Sequence, residues 1–156
     1  MNTIVSDNPL SEPQTVLLAS LAGMLIPASD KHDVPGADDD AIMTDIISTA
    51  RQHADTFKSG LDTLNDHANK EHGTEFVALN LKQRMAIIEH FQINAPHFIR
   101  SVVSITVQCY YQDARVMESL GMEGRAPYPD GFDLPQGDWS LLDPVKDRGE
   151  IWRRAE

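Results

Sequence analysis

The stretch Ser101-Val102-Val103-Ser104-Ile105-Thr106-Val107 decides the fold, because its β-branched residues suit a strand as readily as a buried helix. Its surroundings favour the helix. Phe98, Val102, Ile105 and Cys109 fall on one side at helical spacing, and Pro96 stands where a first helical turn tolerates proline. The run from Phe98 to Cys109 is also too long for a typical strand. A helix here leaves a mainly α chain, since strand competes with helix nowhere else in the sequence.

Working outward from that helix, the other segments carry local start and stop signals. Asn80 with Gln83 has cap-and-partner spacing ahead of Leu81, Met85, Ile88 and Phe91. Phe57, Leu61, Leu64 and Ala68 form a stripe that Gly73 closes in a left-handed conformation. Asp38-Asp39-Asp40 places negative charge at the start of a helix whose buried edge is Ile42, Ile46 and Ala50. Ser11 with Gln14 opens a helix carrying Leu17, Leu18, Leu21 and Leu25, which Pro27 ends. On the other side, Asp113 caps a short helical turn that stops at Gly121. The expected architecture is a compact helical domain of about five to six helices over residues 1–121, without repeats or low-complexity segments.

Residues 122–156 read differently. Pro127, Pro129, Pro135 and Pro144, together with five glycines from Gly121 onward, exclude a long helix or a central strand. Yet Tyr128, Phe132, Leu134, Trp139, Leu141, Leu142, Val145, Ile151 and Trp152 give this stretch more apolar surface than a solvated tail carries. It is expected to be an extended arm that packs on its own domain, on a partner subunit, or on both. Tyr128, Phe132, Trp139 and Trp152 are its expected anchors, because large aromatic side chains contribute most when buried at an interface.

Composition excludes several functions. At 156 residues the chain builds one core of ordinary size. A formal charge of −11 disfavours nucleic acid and anionic membranes, which need a basic face. The single cysteine, Cys109, rules out an internal disulfide framework, and its apolar helical phase marks it as a small buried hydrophobe rather than a nucleophile. His67 and His72 stand five apart, whereas zinc-binding helices use a spacing of four with a Glu between, so no metal site is expected. His90 and His97 flank a helix break and read as surface or partly packed residues, and the acidic loop from Asp30 to Asp40 reads as helix capping. No nucleophile elbow, phosphate loop or dinucleotide fingerprint occurs. No catalytic residue, bound cofactor or metal ligand is therefore expected in this chain. Tyr110, Tyr111, Arg115 and Arg125 remain: they either pin the arm to its own domain or contact a partner, aromatics with arginine being the composition of interface hot spots.

Several stretches resemble the gluconate 2-dehydrogenase subunit 3 family. Leu18 to Ala28, with its Ile26-Pro27 step, looks like the family's opening helix, and Pro35-Gly36-Ala37 looks like the turn after it. Tyr110 to Val116, Leu120-Gly121, Arg125-Ala126-Pro127-Tyr128-Pro129-Asp130-Gly131-Phe132 and Leu141 to Val145 resemble its C-terminal signature. The resemblance implies a small, non-catalytic partner of a large flavoprotein of the glucose-methanol-choline type. That partner binds FAD and oxidises a sugar or related alcohol, and the small subunit supports its folding and, in many relatives, its export. The partner contacts so implied add Pro127 and Pro129 to Tyr110, Tyr111, Arg115, Arg125, Tyr128, Phe132, Trp139 and Trp152. Many relatives carry a twin-arginine export signal before the first helix. This sequence starts without an arginine pair or a secretory signal of the usual kind, so a cytoplasmic hetero-oligomer is expected, or a periplasmic one if the chain is exported with its partner. The alternative is a stand-alone small helical ligand-binding protein or enzyme, which needs a pocket with converging polar groups.

Overall fold

The computed structural model describes residues 8–133, 136–149 and 152, so Leu134, Pro135 and Ile151, named above for the arm, lie outside the described residues. The chain divides into two units, Met1–Ala126 and Pro127–Glu156.

The first unit is helical: α1 (Glu12–Leu25), α2 (Asp40–Ala50), α3 (Ala54–His72), α4 (Leu81–Asn94), α5 (Pro96–Tyr110) and α6 (Ala114–Ser119), with single 3₁₀ turns at Arg51–His53 and Phe76–Ala78. The deciding stretch, residues 101–107, is wholly helical. Helix ends follow the local signals. Ser11 and Asn80 each accept a hydrogen bond from the backbone N–H three residues on, while Gln14 and Gln83 reach back to the cap backbone, forming two complete capping boxes. Asp39 caps α2, Asp113 caps α6, and Gly73 ends α3 at φ +69°.

α5 is the centre of the packing, in contact with α1, α2, α3 and α4. Its buried side is Phe98, Val102, Ile105, Thr106, Cys109 and Tyr110. The Phe98 ring meets Phe57 of α3 edge to face at 6.3 Å. That approach depends on Gly60, since a Cβ there would stand 2.1 Å from the Phe98 ring. Leu17, Leu18 and Leu21 of α1, Ile42, Ile46 and Ala50 of α2, and Leu61, Leu64 and Ala68 of α3 belong to the same core.

Two expected stripes differ in the structure. Leu25 is exposed, because at the last turn of α1 it lies at the mouth of a groove between α4 and α5 and not in the core that holds Leu17, Leu18 and Leu21. On α4 the buried pair is Ile87 and Phe91, while Leu81 and Met85 are exposed and Ile88 is half-buried. The cause lies in Arg84, whose guanidinium fills the space beside the Phe76–Ala78 turn. It donates to the carbonyls of Val77 and Leu79 and to the Ser20 hydroxyl, and stands 5.8 Å from the Phe76 ring centre. Phe76 is fully buried, and its N–H donates to Asn65 Oδ1 at 3.0 Å.

The second unit carries a 3₁₀ turn, Trp139–Leu142, running into the four-residue helix α7, Asp143–Lys146. Asp138 caps it, accepting from the Ser140 N–H and hydroxyl, and its carboxyl is held below the usual range by the Ser140 hydroxyl first and the Ser140 amide second.

Candidate partner-binding site

The tyrosine pair closing α5 divides its labour. Tyr110 is buried, its hydroxyl donates to the Pro35 carbonyl at 3.2 Å, and burial pushes its phenol up. Tyr111 is 52 % exposed and sets its ring edge-on to Tyr110 at 5.2 Å. Only Tyr111 presents an aromatic surface outward.

Arg115 is the best-held exposed side chain of the corner. Its guanidinium donates to Asp113 Oδ1 and Oδ2 at 3.0 and 2.9 Å and to Asp39 Oδ1 and Oδ2 at 2.7 and 3.2 Å. Asp113 caps α6 and Asp39 caps α2, so one arginine ties together two helix starts. The hydrogen bonds from Arg115 hold both carboxyls below their ordinary value and push the guanidinium further up. With Tyr110 on Pro35, this fixes the loop between α1 and α2 against the end of α5. That loop is itself pinned by the Ser29–Val34 bridge and by the Ala37 N–H on the Ile26 carbonyl at 2.9 Å. Of the sequence-chosen residues, Tyr110 and Arg115 thus make intramolecular contacts within the helical unit. Arg125 pairs with Glu123 at 2.6 Å.

In the second unit, Pro127 accepts at its carbonyl from the Gly131 N–H, and the Tyr128–Pro129 peptide is cis. Tyr128 is 87 % exposed, Trp139 67 % and Trp152 58 %, while Phe132 is half-buried. Leu141, Leu142 and Val145 are exposed beside Trp139 on the short helical turn. This is a concentration of apolar surface that soluble monomers rarely leave open.

A cleft of about 330 Å³ lies between α3 and α4, lined by His67, His90, Phe91, Lys70 and Asp66 among others. His67 stacks on His90 at 4.6 Å, and its Nε2 is 3.5 Å from Glu71. The five-residue spacing of His67 and His72 argued against their meeting, and the ring that His67 does meet belongs to the next helix, 23 residues on, where only tertiary structure finds it. Among the described residues no three His, Cys, Asp or Glu side chains converge as metal ligands. Cys109 is buried with its sulfur 3.6 Å from the Thr49 hydroxyl, and burial pushes its thiol up. Among the described residues no helix is long and apolar enough to cross a membrane.

A family model described as gluconate 2-dehydrogenase subunit 3 matches residues 12–123. The chain belongs to this family. Gluconate 2-dehydrogenase subunit 3 is by its description one component of a dehydrogenase complex, and membership makes this chain an accessory subunit of such a complex. The match to the subunit 3 family spans α1 to α6 and ends before Arg125, so the stretches from Arg125 onward that resembled a C-terminal signature lie outside it. No curated protein and no solved structure matches the chain.

Proposed function

We propose that this chain is the non-catalytic small subunit that binds a large FAD-dependent dehydrogenase of the glucose-methanol-choline type, acting on sugars or related alcohols. In this reading it keeps the flavoprotein folded and loaded with its flavin. FAD belongs to the partner, and residues 127–156 act as the clasp. The observation that carries the reading is the exposed aromatic surface of Tyr128, Trp139 and Trp152 on a chain whose family is a dehydrogenase subunit. Interfaces concentrate their binding energy in such aromatic anchors, and an isolated chain gains nothing by leaving them in water.

The test is co-expression of the flavoprotein with a full-length chain in which Tyr128, Phe132, Trp139 and Trp152 are all alanine. The expected result is a helical small subunit with unchanged circular dichroism and a partner that loses most of its visible flavin absorbance or its solubility, on the order of tenfold. A partner that stays soluble and fully flavinated beside the variant removes the clasp from the reading.

A further inference from the structure

Helix α5 is apolar on more sides than its neighbours cover. Along the edge of its buried side runs a second row, in which Ile99 is half-buried and Val103 and Val107 are each 37 % exposed. These positions are four apart, and Tyr111 continues the row by one more step. The remaining side of α5 is polar, with His97, Arg100, Ser104 and Gln108 exposed, so this row is an apolar margin wider than the neighbouring helices cover. The row also has walls. Met24 and Leu25 at the end of α1 and Met85 and Ile88 on α4 flank Val103, enclosing a groove of about 170 Å³ in which no lining side chain is charged. Leu25 is 38 % and Met85 45 % exposed.

We propose that this groove is a docking face of the helical domain itself, and that its occupant is an uncharged, apolar helical segment of the larger dehydrogenase subunit. The proposal rests on the reading that such a subunit is the partner, and adds to the clasp a contact site within the region the family model covers. Three observations select the occupant. The groove is smaller than the roughly 300 to 1,000 Å³ of small-molecule sites, so it takes side chains rather than a metabolite. It offers no counter-charge and Gln92 as its one polar side chain, so an incoming lysine or glutamate is desolvated without an ionic partner, whereas an apolar helix face matches the other lining residues. A second copy is disfavoured because each chain carries a formal charge of −11 and the two repel. Met24 and Met85, unbranched and adaptable, suit the reception of an inserted side chain.

The experiment is co-purification of the flavoprotein subunit on tagged full-length small subunit, with Met85→Lys and Val103→Lys in the groove. Ile93→Lys is the control, at a residue 80 % exposed and outside the groove lining. Wild type and Ile93→Lys are expected to retain the flavoprotein at equal yield, and the two groove variants to retain about tenfold less with helical circular dichroism unchanged. Met85→Gln, which keeps the length of the side chain and favours helix, guards against a folding defect and is expected to weaken retention several-fold. Groove variants that retain the flavoprotein as wild type does overturn the docking face while leaving the partner reading intact. A wild-type chain that retains no flavoprotein overturns the partner reading and this occupant together. A wild-type chain that is dimeric by light scattering, and monomeric as Met85→Lys, makes the occupant a second copy and overturns the proposal as well.

Discussion

The helical unit and residues 127–156 use the same kinds of side chain to opposite ends. In the helical unit Phe57, Phe76 and Phe98 are almost wholly withdrawn from water, Phe57 on α3, Phe98 on α5 and Phe76 on the short turn between α3 and α4. In residues 127–156 Tyr128, Trp139 and Trp152 stand exposed on turns and a helix of four residues. What separates the two is whether long helices lie over the ring, for Phe76 sits on a turn of only three residues and is buried because α1 and α3 pack against that turn. A 19-residue helix such as α3 presents a stripe long enough to be covered by other helices, whereas the turn from Trp139 to Lys146 is too short to cover its own rings.

The sharpest way to break this comparison is to remove one ring from each region. Phe57→Ala is expected to lower stability by about 3 to 5 kcal/mol, whereas Trp139→Ala is expected to stay within about 0.5 kcal/mol, both read from urea unfolding of the isolated chain. Comparable losses would mean that the arm contributes to folding and not only to binding. Next in size is Gly60→Ala. Its new methyl group collides with the Phe98 ring, and the overpacking is expected to cost about 1 to 3 kcal/mol, seen as a lowered Tm. An unchanged Tm would show that α3 and α5 slide apart freely.

Asn80→Ala removes the oxygen that accepts the Gln83 N–H and is expected to cost about 1 kcal/mol, while the same change at an uncapped position does little. The smallest effect expected is electrostatic. Asp39 and Asp113 are held charged further into acid in the folded chain than in the unfolded one. Their contribution is therefore complete above the unfolded aspartate value of about 3.9 and drains away as pH falls through the lower folded values. Arg115→Gln should narrow the gap between urea midpoints at about pH 7 and about pH 3, and salt should mimic part of that narrowing, because the guanidinium is half exposed. A variant whose acid sensitivity equals that of wild type would remove Arg115 from the account.

These contacts also show where a linear reading runs out. The capping boxes at Ser11 and Asn80, the left-handed Gly73 and the proline opening of α5 were legible because every partner lies within four residues. Arg84 to Ser20, Tyr110 to Pro35 and Arg115 to Asp39 span 64, 75 and 76 residues, and no local pattern announces them. The error on α4 has the same root. The expected stripe of Leu81, Met85, Ile88 and Phe91 holds at Phe91, but Ile87 is buried in place of Leu81 and Met85, on the side of α4 from which Arg84 docks into the neighbouring turn. For the partner surface, the aromatic residues of residues 127–156 were visible as composition. The row at Ile99, Val103 and Val107 was present as a four-residue spacing, but it could not be told from a core stripe until the neighbours of α5 were known.

The central position of α5 has a consequence for time as well as for energy. With four helices laid against it, its inner amides have no local route to solvent, and they should exchange hydrogen only when the whole domain opens. The turn from Trp139 to Lys146 is too short to resist fraying, and its amides should exchange orders of magnitude sooner. The protein therefore carries two clocks, a slow one that reports the integrity of its own fold and a fast one set to register the arrival of whatever covers that turn.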